Sequence, residues 1–438
     1  MIIRMDTQSS PESGQIANPE RDFQILFLAV SAIFYASLLY STFLLSVAMF
    51  AMGTLGICDV TLKPLRIRLR PNLLVKVQKW MNEPVWWVIT LPFLVVLFGG
   101  LYSEDSSFWL SRLRLRAPFL LLPLAWYLMP PISRNTYYRM FALFILIVFL
   151  STIPVLWEFG ANYEQVLFRL QRGHVISTPG NHIRYSLLIA ICCLASFILH
   201  KRKFRWFYPE EPKIYITLSV YFFFVLHILA IRSGIAALYL TILVFILISL
   251  IVHRRARTLL YIVGLAAVPL ITYHTLPTFR NKIQYMIEDY SRYRLKKWNA
   301  YSDSERLLSL RAGLDLASDN LLTGVGPGDL RRSMKKYFLE EYDKNTYILP
   351  HNQWISILTG SGIIGLLLIL LSFFLPILNR SHFREPLFLA ANSIIFFSFF
   401  AENTLETSRG VAIYIFLLLA GLKFLQNANR VENDVLDL

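Results

Sequence analysis

Residues 349–378 read LPHNQWISILTGSGIIGLLLILLSFFLPIL. From Trp354 to Leu378 no side chain carries a charge, and a helix of that length rises about 37 Å at ~1.5 Å per residue. A hydrocarbon core of ~30 Å is thereby exceeded, so the run reads as a membrane span. His351 and Asn352 stand at its polar mouth, where aliphatic residues would insert at lower cost. Something other than insertion has to account for them.

The rest of the chain has the same solvent preference. Of 438 residues, 55% are hydrophobic and only 16% charged, with a mean hydropathy of +0.50. These values exclude a soluble globular domain and indicate an integral membrane protein. The first twenty residues, MIIRMDTQSSPESGQIANPE, hold no apolar stretch followed by a small-residue cleavage site. They do not read as a signal peptide, and the N-terminus is expected in the cytosol. A net charge of +15 invites nucleic acid as a partner, yet the basic residues fall in short loops between apolar runs. Membrane topology explains them better, and no nucleic-acid partner is expected. Cys58, Cys192 and Cys193 lie in or beside apolar segments without CxxC spacing or a neighbouring histidine cluster, so neither a disulfide framework nor a metal site is indicated.

Twelve apolar runs qualify as spans, near 22–38, 39–57, 84–101, 115–129, 140–157, 183–199, 213–231, 234–252, 258–273, 353–378, 386–400 and 410–425. The expected fold is an all-α integral membrane protein of about 12 transmembrane helices with one large, partly helical periplasmic loop. It divides into a cytosolic tail (1–21), helices 1–9 (22–273), the loop (274–350), helices 10–12 (351–425) and a second cytosolic tail (426–438). With both termini inside, the short inner segments carry 22 basic residues and the short outer segments 8, while 13 lie in the long loop. That asymmetry follows the positive-inside rule. Within the loop, SDSERLLSLRAGLDLASDN suggests a helix with an apolar stripe at Leu307, Leu310, Leu314 and Leu316–Ala317. TGVGPGDL breaks it, and RRSMKKYFLEEYDK suggests a second helix capped by Asp329.

On this topology Arg184, Arg232, Arg306 and His351 fall at one depth on the outer face. Charge at the hydrocarbon boundary is costly unless it pairs or lines a polar cavity, so the three arginines suggest an anion site. Guanidinium suits phosphate because its planar fork donates two parallel hydrogen bonds and keeps its proton. Plainer readings stand beside this one. Arg184 also fits a snorkelling helix anchor, Arg306 a solvated loop charge, and His351 a structural histidine, whereas Arg232 sits in a turn too tight for snorkelling to be natural. The glycines of GVGPG read as a turn rather than a phosphate cradle, since no strand precedes them and Pro327 interrupts. Gly360, Gly362 and Gly365 read as close helix packing.

In order along the chain, LYSEDSSFWLSRLRLRAPFLLLPLAW, NHIRYSLLIA, IRSGIAAL, SERLLSLRAGLDLASDNLLTGVGPGDL, HNQWISILTGSGIIGLL and AENTLETSRGVAIYIFLL resemble successive landmarks of the bacterial O-antigen ligase family. That superfamily also contains O-antigen polymerases and protein oligosaccharyltransferases. The resemblance runs from about residue 100 to 425, and its most specific part is the arginine-led helix ending in GVGPG followed by HN at the next span. It implies an inverting, metal-independent glycosyltransferase without cofactor at the periplasmic face of the inner membrane. The donor would be a glycan on undecaprenyl diphosphate, the acceptor a sugar hydroxyl of lipid A-core, with membrane lipids around both. Arg184, Arg232 and Arg306 would inherit diphosphate binding and His351 the essential histidine. Asn352 would support it, with Glu402 and Glu406 as further candidates that could equally pair with Arg409.

The branch stays open at this point. Polymerases are associated with an arginine-x15-glycine pattern in outer loops, whereas Arg311 here meets Pro327 and Arg306 meets Leu322. The short C-terminal tail argues against the protein-modifying branch. A transporter or flippase is the rival of another class, but it would be expected to show repeat symmetry and ionisable residues at mid-helix.

Overall fold

A computed structural model of the chain describes residues 19–253, 258–294 and 303–428. The chain opens with α1 (Pro19–Tyr40) and α2 (Thr42–Ile57), then the antiparallel hairpin β1 (Cys58–Leu62) and β2 (Leu65–Leu69) and the short α3 (Leu73–Met81). Next come α4 (Pro84–Trp87) and α5 (Leu91–Gly99), α6 (Ser106–Leu128), α7 (Arg134–Ala161), α8 (Tyr163–Gln171), α9 (His182–Lys201), α10 (Glu211–Leu229), α11 (Arg232–His253) and α12 (Thr258–Thr275). α13 (Pro277–Arg294), α14 (Asp303–Asp319) and α15 (Leu330–Tyr342) form a cap on one end of the bundle. α16 (Gln353–Leu378), α17 (Pro386–Ser398) and α18 (Ser408–Ala428) complete it.

The protein is all-α apart from the hairpin, but the expectation of about 12 spans is corrected. Among the described residues eight helices are long and apolar enough to cross a membrane, or nine if the α12–α13 pair, bent by 96°, is one span. The difference lies in where helices stop. The runs at 39–57 and 386–400 fold as helices of 16 and 13 residues, about 24 and 20 Å long at ~1.5 Å per residue, short of a ~30 Å core. The run at 115–129 belongs to α6, whose first half carries Arg112, Arg114 and Arg116. A count of apolar stretches sees neither limit. A count of eight keeps the even parity that put both termini on one side, whereas nine would break it. Ser41 divides the long apolar block 22–57, its side chain accepting a hydrogen bond from the Leu44 amide at 3.2 Å.

α9 and α18 are the most enclosed helices. Around them aromatic rings stack rather than merely fill space: Phe34 on Phe416 at 4.0 Å and Tyr35 on Phe144 at 4.4 Å between centroids. In lipid, such packing rather than expulsion from water holds helices together. Cys192 and Cys193 are buried, and all three cysteines are free thiols. The hairpin, which the apolar pattern did not foretell, is tied to α2 by Arg70, whose guanidinium donates to the carbonyls of Gly56, Leu55 and Cys58.

The cap has its own small core of Phe108, Leu308, Ala312, Leu330, Met334 and Phe338. Its α14 buries Ser304, Leu308, Ser309, Ala312, Gly313 and Ala317. Of the stripe expected at Leu307, Leu310, Leu314 and Leu316–Ala317, Ala317 is buried, and the rest of the buried face is displaced from the leucines by about one residue. The contact face is built from small residues that let two helices approach, which a hydrophobicity pattern does not register. At Gly313 an added Cβ would lie 2.7 Å from Pro350 and 2.8 Å from Ile355, and the Gly313 carbonyl accepts from the Thr359 hydroxyl at 2.9 Å. Asp329 precedes α15 without capping it. Its carboxylate instead accepts from the amides of Glu104 and Asp105, fastening the cap to the bundle.

GVGPG is a turn with a further duty. α16 is broken at Gly362 (φ 63°, ψ −169°), and the freed backbone is satisfied by the loop beside it. Val325 donates to the Thr359 carbonyl (2.9 Å), Gly326 to that of Gly360 (3.1 Å), and Ile363 to that of Leu321 (2.8 Å). Irregular backbone at such depth persists only where protein supplies these partners.

Candidate active site

Four helix N-termini, those of α9, α11, α16 and α18, lie at the capped end of the bundle. Cross-links between distant segments hold them there, including Gln353 to Leu405 and Glu406, Asn352 to Phe400, and Arg232 to Asp303. Each N-terminus carries a partial positive charge of ~0.5, although Asn181 and Asn352 already cap first-turn amides of α9 and α16. Arg184, Arg232 and Arg409 stand in the first turns of three of them. Cations there have the wrong sign for the helix dipole, so the end of the bundle is poised for anions.

Arg306 is the hub. It lies on α14, and its guanidinium donates to Glu402 at 3.3 Å. The same charge acts on His351, Asp303 and Lys282. Glu402, in the loop after α17, is buried and faces Arg184 as well. Burial raises its carboxyl above the usual range, and the two arginines oppose that rise. Arg232 makes a two-pronged ion pair with Asp303, at 2.8 and 2.6 Å. Burial pushes the Asp303 carboxyl up, but the Arg232 hydrogen bonds and charge win and leave it below the usual value. Asp303 is oriented in turn by Asp289, whose carboxylate accepts from the amides of Asp303 and Ser304.

His351 sits beside Ser309, one turn along α14 from Arg306. The Ser309 hydroxyl donates to the Arg306 carbonyl at 2.7 Å, accepts from the His351 amide at 3.3 Å, and lies 3.4 Å from His351 Nδ1. With its single proton already committed, the hydroxyl can only accept from the ring. The pattern assigns the proton to Nδ1 and leaves the Nε2 lone pair free. Burial first, and Arg306 second, pull the imidazole down to about 4, so it is neutral at neutral pH.

The expected site residues thus fall into groups. Glu402 and His351 gather around Arg306, Arg184 joins through Glu402, and Arg232 joins through Asp303. Asn352 does not reach the histidine ring. Its Oδ1 accepts from the amides of Trp354 and Ile355 and so caps α16, while Nδ2 donates to the Phe400 carbonyl at 3.3 Å. Glu406 stands apart in a buried cluster with Arg112 (2.9 Å) and Arg116, and with Gln353 at 3.4 Å. Arg112 and Arg116, not Arg409, are its partners. Their charges hold its carboxyl below the usual range against the burial that would raise it.

Sequence reasoning passed over Asp303, Ser309, Lys282 and Arg409. Asp303 and Ser309 lie three residues before and after Arg306, on the same helical face, and that spacing was the available signal. Lys282 donates to the carbonyls of Gly173 and His174 and so ties α13 to the loop before α9. Nothing short of the fold would have singled it out.

Fold and side-chain cluster together describe a polytopic membrane protein with arginines and a histidine gathered at one end of its helix bundle. Residues 217–370, about a third of the chain, match the family model described as O-Antigen ligase, the family the sequence landmarks resemble. Over those residues the chain is similar to that family, and its spans make it a multi-pass membrane protein. Arg232, Arg306, His351 and Asn352 lie inside the matched segment, Arg184, Glu402 and Glu406 outside it. No curated protein matches the chain.

Proposed function

We propose that the protein transfers a glycan from undecaprenyl diphosphate to a sugar hydroxyl of lipid A-core at the periplasmic face of the inner membrane, with inversion at the anomeric carbon. On this reading the cap, residues 274–350, is periplasmic and both chain ends are cytosolic, in keeping with the charge asymmetry of the short loops. The observation that carries the proposal is the position of Arg306, which stands between His351 on one side and Glu402, a carboxylate that also faces Arg184, on the other.

The chemistry divides between the two sides. His351 Nε2 takes the proton of the acceptor hydroxyl as its oxygen attacks the anomeric carbon. The bond from that carbon to the diphosphate oxygen breaks on the opposite face, and undecaprenyl diphosphate leaves with the electron pair. General-base help of this kind is worth ~10²–10⁴ in rate. The leaving group needs charge neutralisation more than a proton, and Arg184, Arg232 and Arg306 supply it in a partly dehydrated pocket. Asn352 sets the start of α16 and thereby the position of His351.

The test is transfer by the purified chain in lipid nanodiscs, with lipid-diphosphate-linked glycan as donor and two acceptors offered separately. Wild-type protein should glycosylate lipid A-core with inverted anomeric configuration, and His351→Ala should not. Growth of the glycan on a second lipid-linked glycan, with lipid A-core left untouched, would instead assign the site to polymerisation. Full turnover by His351→Ala would remove the histidine from the reaction.

A further inference from the structure

The arginines of the capped end differ in how far their charge is already answered. Arg112 and Arg116 are on Glu406, Arg232 on Asp303, Arg306 on Glu402, Arg331 on Asp105 and Arg332 on Glu104. Arg184 and Arg409 are in no ion pair or side-chain hydrogen bond among the described residues. In both the Nε–H is buried and lacks an acceptor, as it does in Arg112 and Arg116, whose terminal nitrogens nevertheless have Glu406. A buried donor without an acceptor is costly, the more so on a charged group, and here two of them line one cleft with no ion-pair partner.

Their placement sharpens the point. Arg184 lies in the first turn of α9 and Arg409 in the first turn of α18, each against the positive end of its helix. Among its charged neighbours Arg184 feels the Glu402 carboxylate first and the Arg409 guanidinium second, so Arg409 is the less answered of the two. Both line a single narrow cleft between α1, α9, α17 and α18, whose floor is apolar: Leu39, Leu188, Ile191, Ile395 and Ile413. The loop before α9 is shaped around Arg409. Gly180 has φ +67°, and a Cβ there would come within 2.4 Å of an Arg409 terminal nitrogen.

We propose that Arg409 is a further donor-binding residue, forming with Arg184 the two-cation seat of a lipid-borne diphosphate held at the mouth of the apolar cleft. The inference rests on the transfer reading above and deepens it. A diphosphate ester carries the charge to answer both arginines, and guanidinium forks bind its oxygens two at a time. The apolar floor favours a lipid ester over free inorganic diphosphate. Arg232 and Arg306 then reach the same diphosphate from carboxylate-anchored positions, while Arg184 and Arg409 bring side chains that no ion pair holds.

The experiment is equilibrium binding of radiolabelled farnesyl diphosphate to the full chain in nanodiscs, with farnesyl monophosphate and inorganic diphosphate as competitors. Wild-type protein should prefer the farnesyl diphosphate. Arg409→Gln should weaken it at least ~tenfold, the loss of about one charge-assisted hydrogen bond, and Arg409→Lys should fall between. Arg332→Ala, which breaks only an exposed ion pair, should bind as wild type. If Arg409→Gln does not accumulate, Arg409→Lys carries the same comparison. Unchanged affinity in a folded Arg409 variant, beside a wild type that binds, would overturn this inference and leave the transfer reading standing. Inorganic diphosphate competing as well as the farnesyl ester would remove the lipid from the seat. A wild type that binds no diphosphate would overturn the donor assignment itself.

Discussion

Ser309 Oγ stands 3.4 Å from His351 Nδ1 while donating its own proton to the Arg306 carbonyl. One hydroxyl thereby orients the histidine and joins it to the helix that carries Arg306. Ser309→Ala should leave the imidazole free to take either tautomer and to tilt, lowering kcat by roughly 3–30-fold with little change in donor KM. His351→Ala should cost ~10²-fold or more. Steady-state kinetics on both variants check this, and a Ser309→Ala enzyme with wild-type kcat would deny the serine any part in positioning the ring.

The low proton affinity of His351 has a consequence for pH. Burial and the Arg306 charge both disfavour the imidazolium, so the ring stays neutral until the pH falls to about 4. The base form is therefore complete across pH 5.5–8, and the acid limb of kcat/KM assigned to His351 should lie near 4 rather than near the ordinary ~6.5. A bound diphosphate adds negative charge that offsets Arg306, so the acid limb of kcat should sit higher than that of kcat/KM. A pH–rate profile with both limbs near 6.5 would contradict the burial argument.

Much of the site could be read in advance because its chemistry is concentrated in residue types that membranes tolerate badly. Arg184, Arg232, Arg306 and His351 stood out against apolar surroundings, and the fold brings them to one end of the bundle. What stayed hidden depends on close approach and on partners remote in sequence. The small-residue face of α14 is silent in a hydropathy profile, and so is the fit of Gly313 against Pro350. Arg409 looked like a partner for nearby acids until Glu406 proved to be held by Arg112 and Arg116, nearly 300 positions earlier. The number of spans was misjudged for a related reason. Apolarity marks what a segment dissolves in, whereas caps and charges decide how long its helix becomes.

Arg232 and Asp303 should behave as one unit. The fork of Arg232 meets both carboxylate oxygens, tying the start of α11 to the start of α14. Arg232→Lys keeps the charge but can satisfy only one oxygen at a time, so donor use should fall by ~tenfold or more. Removing either partner alone leaves a half-buried charge unanswered, so the double variant Arg232→Ala, Asp303→Ala should be less destabilised than the two single losses summed, by roughly 1–3 kcal/mol. Thermal unfolding of the four proteins in one detergent measures that coupling. Strict additivity would mean that the pair seen in the fold contributes nothing to it.

The break in α16 offers the sharpest structural contrast. Gly362 holds φ 63° and ψ −169°, a region that residues with a Cβ occupy only at a cost of ~1–3 kcal/mol. Space is lacking as well, because an added Cβ would meet the Leu322 carbonyl oxygen at 2.2 Å and the Thr323 nitrogen at 2.5 Å. Two residues earlier, Gly360 has ordinary room, with its nearest neighbours at 3.7 and 3.8 Å. Gly362→Ala should therefore push the 321–326 loop off α16, orphan the backbone groups it satisfies, and lower both yield and melting temperature. Gly360→Ala should do neither. Because the displaced loop leads from α14, which carries Arg306 and Ser309, any Gly362→Ala protein that folds should lose activity out of proportion to its stability. Equal behaviour of the two alanine variants in membranes would mean that the stitched break is not a constraint on the fold.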